Sequence, residues 1–370
     1  MRTSDPEWRP KDRETRSNEP HENTYINSMD LKTTKEDVMT KKASEHLVAY
    51  FDILGYQNII QEMKIEESEL INVIEQTTKL VSYIAKDAFT SRSVKTYCFS
   101  DNFAIAIKLP FKANEDVAYG MTLIYNLQTL IFIMQLIQKK LLLEYGVFIR
   151  GSIVKGTLFA HKNFLFGKGL IDAYLIENDL AVNPRIIVEY SLVKYTMEFI
   201  KSHKNEFDFA EEINDKNCFH YFIDIWCMYL ELDRAGEERL DYNYKSIGFQ
   251  KDMDNEYFVD YLRELVNHKD DKDEPTKKIA LFLTDEEACE ISFFHELLIV
   301  YCHRVLDAIR ENASSRKILI KYLWCSSYIN HFCNENDIEQ PFTVESIQYF
   351  TGVNLKNAKY CDLIKYLMIY

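Results

Sequence analysis

Two stretches of the chain combine the continuous apolar character of a buried β-strand with a single carboxylate. Residues 47–55 read Leu-Val-Ala-Tyr-Phe-Asp-Ile-Leu-Gly, in which Asp52 is the charged position. Residues 97–107 read Tyr-Cys-Phe-Ser-Asp-Asn-Phe-Ala-Ile-Ala-Ile, in which Asp101 is the charged position. Short apolar runs of this kind predict buried strands. Because an isolated carboxylate in an apolar interior is costly, we expect both acids to be paired or to hold a metal ion.

The two acids also suit a less specific interpretation. Ser100-Asp101-Asn102 has the composition of a tight turn, and Asp52 stands three residues before Gly55. An aspartate at the end of a strand often caps a helix or closes a turn. If the strands lie side by side, the two aspartates converge and offer oxygen ligands to a hard divalent cation such as Mg²⁺ or Mn²⁺. The pattern alone leaves both interpretations open.

The order of the remaining elements predicts an α+β domain over residues 45–190. It begins with the strand around Asp52, and helical periodicity then follows Gly55 as far as Ala88. The order strand, helix, strand, strand, helix, strand is typical of a ferredoxin-like fold, here with an appended helix and strand. The further predicted elements are two strands around Asp101, a helix at 115–145, a strand at 147–155, one or two short strands within 157–166, a helix at 169–177 and a strand at 185–188.

The chain outside this domain differs in character. Residues 1–33 carry charges of both signs and little apolar bulk, which predicts a disordered polar tail. Residues 191–370 combine charged connections with two strongly helical stretches, 284–312 and 315–334, which predict a mostly helical module. Nothing in the pattern of this second half indicates its role.

Half of the ten glycines fall in one short region, between residues 146 and 169. Glycine permits tight turns and close backbone approach, so this concentration indicates either contact with a neighbouring strand or a place where a ligand comes close. The sequence is equally compatible with both alternatives. The five residues are Gly146, Gly151, Gly156, Gly167 and Gly169.

The formal net charge of −14 argues against binding to nucleic acid or to an anionic membrane surface, since both need clustered Lys and Arg. A nucleoside triphosphate could still bind where a metal ion offsets the charge. The eight cysteines form no CxxC pair and the first 33 residues show no signal pattern, which predicts a reducing, cytoplasmic setting. The most apolar stretch, 121–136, is too short to span a bilayer, so we expect a buried helix.

Four segments, taken in order, resemble the catalytic domain of class III nucleotide cyclases. They are residues 51–55 (Phe-Asp-Ile-Leu-Gly), 95–101 (Lys-Thr-Tyr-Cys-Phe-Ser-Asp), 150–156 (Arg-Gly-Ser-Ile-Val-Lys-Gly) and 166–177, which opens with Phe-Gly-Lys-Gly-Leu-Ile-Asp-Ala. The resemblance covers residues 45–190. The fuller pattern is also similar to bacterial relatives of the Pycsar-type pyrimidine cyclases of anti-phage defence.

The resemblance implies a site for two divalent metal ions, Mg²⁺ or Mn²⁺, on a nucleoside triphosphate. In that family two aspartates hold the metals, and the matching positions are Asp52 and Asp101, with the carbonyl of Ile53 as a further ligand. Sites of the family form between two catalytic domains packed head to tail. A chain with one such domain therefore implies a homodimer with its sites at the interface.

The resemblance also implies which groups bind the phosphates. The family uses backbone amides after the first aspartate, which here belong to Leu54, Gly55 and Tyr56. Its phosphate-binding arginine falls on Arg150, and a guanidinium suits bidentate contacts to phosphate. The alternative for Arg150 is a strand arginine paired with an acid.

Four positions depart from the family pattern. Purine cyclases read the base at positions that are Tyr97 and Phe164 here, and two aromatic residues favour a pyrimidine, CTP or UTP, or a site closed to any base. The family's transition-state asparagine and arginine fall on Ile171 and Leu175, neither of which can stabilise charge. A substitute could come from Lys155 or from the second half of the chain.

Two hypotheses of different classes follow. In the first, the protein is a metal-dependent nucleotide cyclase that favours a pyrimidine triphosphate and makes a cyclic mononucleotide signal for a downstream effector. In the second, it is a catalytically inactive cyclase-like protein that binds a nucleotide or a protein partner and regulates.

Overall fold

The computed structural model describes residues 43–56, 71, 75, 78–79, 94–99, 101–110, 117–161, 164–202, 248–252, 254–262, 293–356 and 361–367. Its strands are β1 (Ser44–Ile53), β2 (Val94–Phe99), β3 (Asn102–Lys108), β4 (Ile149–His161), β5 (Phe164–Phe166), β6 (Ile186–Val188), β7 (Phe249–Lys251) and β8 (Tyr257–Val259). Its helices are α1 (Val117–Tyr145), α2 (Lys168–Asp179), α3 (Tyr190–Ser202), α4 (Phe293–Glu311), α5 (Arg316–Glu335) and α6 (Val344–Thr351), and a 3₁₀ helix spans Cys361–Leu367.

β1 is an interior strand of the sheet and pairs on both sides over most of its length. β3 and β4 each run antiparallel to β1, and β2 runs antiparallel to β3. β2 is therefore parallel to β1 with β3 inserted between them, which is the split βαβ unit of the ferredoxin-like fold. The strand order is β2-β3-β1-β4-β6-β8-β7, and β5 pairs with β4 to one side. The predicted α+β, ferredoxin-like fold is confirmed.

Two predicted segments lie wholly or largely outside the described residues. The polar tail at 1–33 is one of them. The other is the long helix predicted from Gly55 to Ala88, of which the described residues Tyr56, Ile71 and Glu75 and the pair 78–79 are helical.

β4 is longer than the sequence predicts. The strand predicted to end at Lys155 continues to His161, because Gly156 stays extended and pairs with His46 of β1. The short strands predicted within 157–166 are the second half of β4 and the three-residue β5. The appended strand is β6, which runs parallel to β4.

Different helices cover the two faces of the sheet. α1 and α3 cover the face that carries Leu47, Phe51 and Ile153. On the other face, α2 lies over β1 and β4, and the C-terminal helices, α4 to α6, lie over β6 and β8. Side chains alternate along a strand, so Asp52 lies on the α2 face, together with Tyr50.

Three of the clustered glycines allow α2 and its preceding turn to lie directly against β4. A Cβ on Gly156 would stand 2.5 Å from the Cα of Gly169, and one on Gly167 would stand 2.5 Å from the carbonyl oxygen of Thr157. Gly167 also has a φ of 142°, which other residues rarely adopt. These contacts favour the neighbouring-backbone alternative for the glycines over ligand approach.

α1 is a core helix. Among the described residues it is the one helix long and apolar enough to cross a membrane, and 67% of its most apolar 18-residue window is buried inside the protein. Its inner side packs under the sheet, and Gln135 donates a hydrogen bond to the carbonyl of Asp260 at 2.8 Å. The predicted buried helix is confirmed.

The region after residue 190 contributes strands as well as helices. β7 and β8 extend the sheet beyond β6, and Ala43–Tyr370 forms one compact unit. The helix predicted at 315–334 is α5, shifted by one residue, and α4 ends one residue before the predicted limit of 312. The functional division into a cyclase-like domain at 45–190 and a helical module at 191–370 stays a prediction.

Candidate active site

Asp52 and Arg150 face each other across β1 and β4 on the α2 face of the sheet. They are directly opposite in the antiparallel register, so their side chains meet on one face. Nε of Arg150 donates to Oδ1 of Asp52 at 3.0 Å, and Nη2 donates to Oδ2 at 3.1 Å. This bidentate ion pair is the acid pairing considered for Arg150 above, and a role in phosphate binding stays a prediction.

Asp101 lies beside this pair, in the turn that joins β2 to β3. The Ile53 amide donates to the carbonyl of Asp101 at 3.2 Å, and Asn102 is opposite Asp52 in the sheet register. The Asn102 side chain donates to Oδ1 of Asp101 at 3.0 Å and accepts from the Tyr50 hydroxyl at 2.6 Å. The two aspartates singled out in the sequence therefore stand at the same end of neighbouring strands.

Carboxylate oxygens such as those of Asp52 and Asp101 are the ligands that a hard cation takes. Burial raises the pKa of Asp52, the Arg150 guanidinium opposes the rise, and the negative charge of Asp101 adds to it. Within the described parts of the chain, no group of three or more His, Cys, Asp and Glu side chains forms a metal cluster. Two carboxylates and the Ile53 carbonyl still fit Mg²⁺ or Mn²⁺, which usually keep water or phosphate oxygens as further ligands.

Glu177 of α2 approaches Arg150 from the other side. Its Oε1 lies 2.9 Å from Nη2 of Arg150, and the residue is 3% exposed. Ser152 holds this helix in place, since its hydroxyl donates to the Ala173 carbonyl at 2.6 Å, one turn before Glu177. Arg150 is thus held between two carboxylates, and we refer to Asp52, Arg150 and Glu177 as the charge cluster.

Lys321 of α5 brings the C-terminal helices to the charge cluster. Burial lowers the pKa of Lys321, and the positive charge of Arg150 lowers it further, whereas Asp52 and Glu177 act in the opposite direction. The reciprocal influence of Lys321 is felt at both carboxyl groups. Lys321 of α5 is therefore within electrostatic reach of the charge cluster.

Part of the backbone after Asp52 already forms hydrogen bonds within the protein. The Leu54 amide donates to the carbonyl of Phe148 at 2.8 Å, so it would have to exchange this partner for a phosphate. Gly55 has a φ of 80°, and Tyr56 begins a helical turn. Amides of a first helical turn have no acceptor within their own helix. Gly55 and Tyr56 are therefore better placed than Leu54 for the predicted phosphate contacts.

The four positions that depart from the family pattern lie in different surroundings. Tyr97 of β2 is buried and packs in the cluster under α2 that includes Leu165. Phe164 of β5 is 67% exposed. Ile171 and Leu175 project from α2 and are 58% and 46% exposed. Reading of the base by Tyr97 and Phe164 stays a prediction.

Two charged residues near the site, Glu177 and Lys321, are not among the residues predicted from the sequence. Glu177 is the last residue of the fourth cyclase-like segment and stands four residues after Ala173. This spacing predicts that both residues lie on the same side of the helix. Lys321 stands in a mixed run, Lys-Ile-Leu-Ile-Lys-Tyr-Leu-Trp, that indicates only an amphipathic helix. Its place beside the charge cluster depends on how α5 packs.

Glu177 gives the protein a measurable pH dependence of stability. Burial raises its pKa from 4.5 to about 7, and the charge of Asp52 adds to the rise. The folded protein therefore binds more protons than the unfolded chain in this range. The contribution to stability is full below pH 4.5 and is lost as the pH rises through about 7.

We expect Glu177→Gln to remove this dependence. The variant should be within about 1 kcal/mol of the wild type at pH 5 and exceed its stability at pH 8 by up to about 3 kcal/mol, because a pKa shift of 1 unit corresponds to about 1.4 kcal/mol. Thermal unfolding between pH 5 and pH 8 measures the difference. Glu144→Gln is the matched control, since Glu144 is exposed and pairs with Lys140 on α1. Parallel pH profiles for Glu177→Gln and the wild type would contradict the expectation.

The chain matches no family model and no curated protein. Solved structures do match part of it. The adenylyl cyclase CyaB from P. aeruginosa is 16% identical over 44% of this chain and 82% of its own, with a TM-score of 0.31. A bacterial light-regulated adenylyl cyclase is 12% identical over 42% of this chain and 45% of its own, with a TM-score of 0.29.

A guanylyl cyclase, Cya2, is 8% identical over 42% of this chain and 80% of its own, with a TM-score of 0.27. Each of these matches covers less than half of the present chain. Over that part of its length, the chain is similar to adenylyl and guanylyl cyclases.

Proposed function

We propose that the protein is a metal-dependent nucleotide cyclase that converts a nucleoside triphosphate to a 3′,5′-cyclic mononucleotide and pyrophosphate. The observation that carries this proposal is the convergence of Asp52 and Asp101 at one end of neighbouring strands, with Arg150 bonded to Asp52 from β4. Carboxylates bind hard cations, and a guanidinium binds phosphate oxygens. Asp52, Asp101 and the Ile53 carbonyl would hold Mg²⁺ or Mn²⁺ ions, which supply positive charge at the phosphates and acidify the attacking hydroxyl.

The reaction asks for positioning and charge stabilisation more than for covalent chemistry by the protein. The ribose 3′-oxygen forms a bond to the α-phosphorus, and the bond from that phosphorus to the oxygen bridging to the β-phosphate breaks. The electron pair of the broken bond leaves with pyrophosphate, and the hydroxyl proton passes to solvent. In this proposal Arg150 exchanges Asp52 for phosphate oxygens, and Glu177 holds the guanidinium from the other side.

The base is proposed to be a pyrimidine, so that the substrate is CTP or UTP. Support comes from the aromatic residues Tyr97 and Phe164, which stand at the two positions where purine cyclases read the base. Phe164 is exposed on the protomer, where a base or a second copy of the chain could cover it.

The active form is proposed to be a homodimer with its sites at the interface. The supporting feature is the α2 patch, a set of apolar side chains on β5 and α2 that are 46% to 67% exposed. Apolar side chains grouped in this way often mark an interaction surface. The α2 patch consists of Phe164, Phe166, Ile171, Tyr174 and Leu175.

The biological setting completes the proposal. A cyclic pyrimidine nucleotide would act as a cytoplasmic signal on a downstream effector, and the resemblance to the Pycsar-type relatives suggests anti-phage defence.

A single assay tests the proposed activity. The purified protein is incubated with Mn²⁺ and separately with ATP, GTP, CTP and UTP, and the products are resolved by chromatography and mass. We expect a cyclic mononucleotide and an equal amount of pyrophosphate from CTP or UTP. No product from any of the four triphosphates, with the dimer confirmed in solution, would contradict the proposal.

A second candidate function has its own support. Ile171 and Leu175 stand where the resembling family has its transition-state residues, and neither can stabilise charge. A catalytically inactive protein that binds a nucleotide or a protein partner through the α2 patch is compatible with this loss. Nucleotide binding without turnover, and unaffected by Mg²⁺ or Mn²⁺, is the outcome that would favour it.

A further inference from the structure

The described cations around the site differ in which way they face. Lys155 stands on β4 opposite Leu47 of β1, on the face covered by α1 and α3, and its Nζ lies 5.8 Å from the centre of the Tyr195 ring. Its face is the one opposite Arg150, which makes it unsuitable as the substitute considered above. Lys168 is largely exposed and paired with Asp172 in the first turns of α2. Neither lysine has the charge cluster as its neighbour.

α5 is anchored beside the charge cluster by aromatic and aliphatic packing. The ring of Tyr322 lies 5.1 Å from the ring of Phe148, two residues before Arg150. Leu54 and Ile176 pack against the same hydrophobic core. Leu54 follows Asp52 by two positions, and Ile176 precedes Glu177. Each member of the charge cluster therefore has a close sequence neighbour in contact with the core that holds α5.

Lys321 is the residue before Tyr322 on this helix, and its charge lowers the pKa of both Asp52 and Glu177. Lys321 is partly buried and interacts electrostatically with Arg150, Asp52 and Glu177. In the described part of the chain it forms no ion pair, although burial of a cation without a partner is costly. The positive charges of Lys321 and Arg150 also repel each other, and a bound anion would relieve this repulsion as well as the cost of burial.

We propose that Lys321 binds the phosphate groups of the nucleoside triphosphate together with Arg150, so that the C-terminal helices complete the phosphate site within the same chain. This inference rests on the proposed function and goes further, because it gives residues 316–335 a direct part in substrate binding. Lys321 would stabilise the negative charge that develops on the β- and γ-phosphates as pyrophosphate leaves.

Lys321 would also compensate in part for the missing transition-state residues. Ile171 and Leu175 remove two polar groups from α2, while α5 adds one ammonium from a different direction. Lys321 replaces lost positive charge rather than the lost geometry, since an ammonium is a point charge and a guanidinium is a planar fork. The phosphates are therefore the part of the substrate that it contacts.

The test compares binding of inorganic pyrophosphate with Mn²⁺, and of CTP and UTP, to the full chain by titration calorimetry. We expect Lys321→Ala to weaken pyrophosphate binding about 10- to 100-fold, the range for loss of one hydrogen bond to a charged group. Lys321→Arg should recover most of the affinity. Lys317→Ala is the matched control, because Lys317 is exposed one turn earlier on α5 and its loss changes the charge equally.

Thermal unfolding separates this role from a structural one. A partly buried lysine without an ion pair does not stabilise the fold, so the midpoint of Lys321→Ala should equal or exceed that of the wild type. A lowered midpoint with unchanged pyrophosphate affinity would overturn the inference. Equal affinities of Lys321→Ala and Lys317→Ala would overturn it as well.

The binding and turnover measurements distinguish the role of Lys321 from the cyclase proposal. If no triphosphate is turned over but pyrophosphate binds and Lys321→Ala weakens it, the phosphate site stands and the cyclase proposal falls. If product forms and Lys321→Ala changes neither pyrophosphate affinity nor rate, the cyclase proposal stands and the role of Lys321 falls. If the wild-type protein binds neither pyrophosphate nor any triphosphate, both are wrong.

Discussion

Asp52→Asn is expected to lower formation of the cyclic nucleotide by at least about 100-fold, the scale of losing one group that stabilises charge in a transition state. Asparagine keeps the shape of the side chain but removes the charge that would hold a metal ion and that binds Arg150 in two places. Asp101→Asn should act in the same direction, because both carboxylates stand at the same site. Product formation from CTP or UTP with Mn²⁺ measures the effect.

The control for this experiment is Asp307→Asn on α4. Asp307 is about half exposed and pairs with Arg310 one turn later, so its loss changes the net charge equally without touching the site. Size-exclusion chromatography should show the same oligomeric state for all three variants. Full activity in both Asp52→Asn and Asp101→Asn would rule out the proposed metal-dependent mechanism.

Asp252→Ala is expected to cost about 3–5 kcal/mol of unfolding free energy, the range for removing one partner of a buried ion pair. Asp252 accepts from Arg185, which is 1% exposed, and from the indole nitrogen of Trp324 at 3.0 Å. Arg185 also donates to Leu180 and to Asp254. The network joins the segment before β6, the β7–β8 turn and α5, so its loss should loosen the C-terminal helices from the sheet.

Asp254→Ala is the matched comparison, because Asp254 also pairs with Arg185 but is 50% exposed. We expect it to cost about 1 kcal/mol or less, since solvent screens an exposed partner and replaces it. Chemical denaturation of the two variants and the wild type gives both free energies. Equal losses for Asp252→Ala and Asp254→Ala would show that burial of Asp252 adds nothing to the network.

Much of the sheet could be predicted because its strands are continuous apolar runs. The runs around Asp52 and Asp101 became β1 and the β2–β3 hairpin, and the alternation of side chains places Asp52 on one defined face. The length of β4 could not be predicted. A glycine at position 156 predicts that the strand ends there. In the structure the strand continues, and the missing side chain of Gly156 allows α2 to pack against it.

The predicted site was similarly incomplete. Asp52 and Asp101 were visible because a carboxylate inside or next to an apolar strand conflicts with its surroundings. Glu177 and Lys321 show no such conflict, since each stands in an amphipathic helix where charged residues are common. Their importance comes from the part of the structure against which each helix packs.

The apolar runs and their order along the chain were sufficient to predict the ferredoxin-like domain and to single out the two aspartates, because burial and secondary-structure period are encoded by residues close together in the chain. The packing of distant segments is what makes Arg150 shared by Asp52 and Glu177, adds β7 and β8 to the same sheet, and places Lys321 of α5 within electrostatic reach of the charge cluster. An apolar face specifies that something must cover it. It does not specify which distant element covers it. The charged residues at the edge of the contact depend on which element packs there.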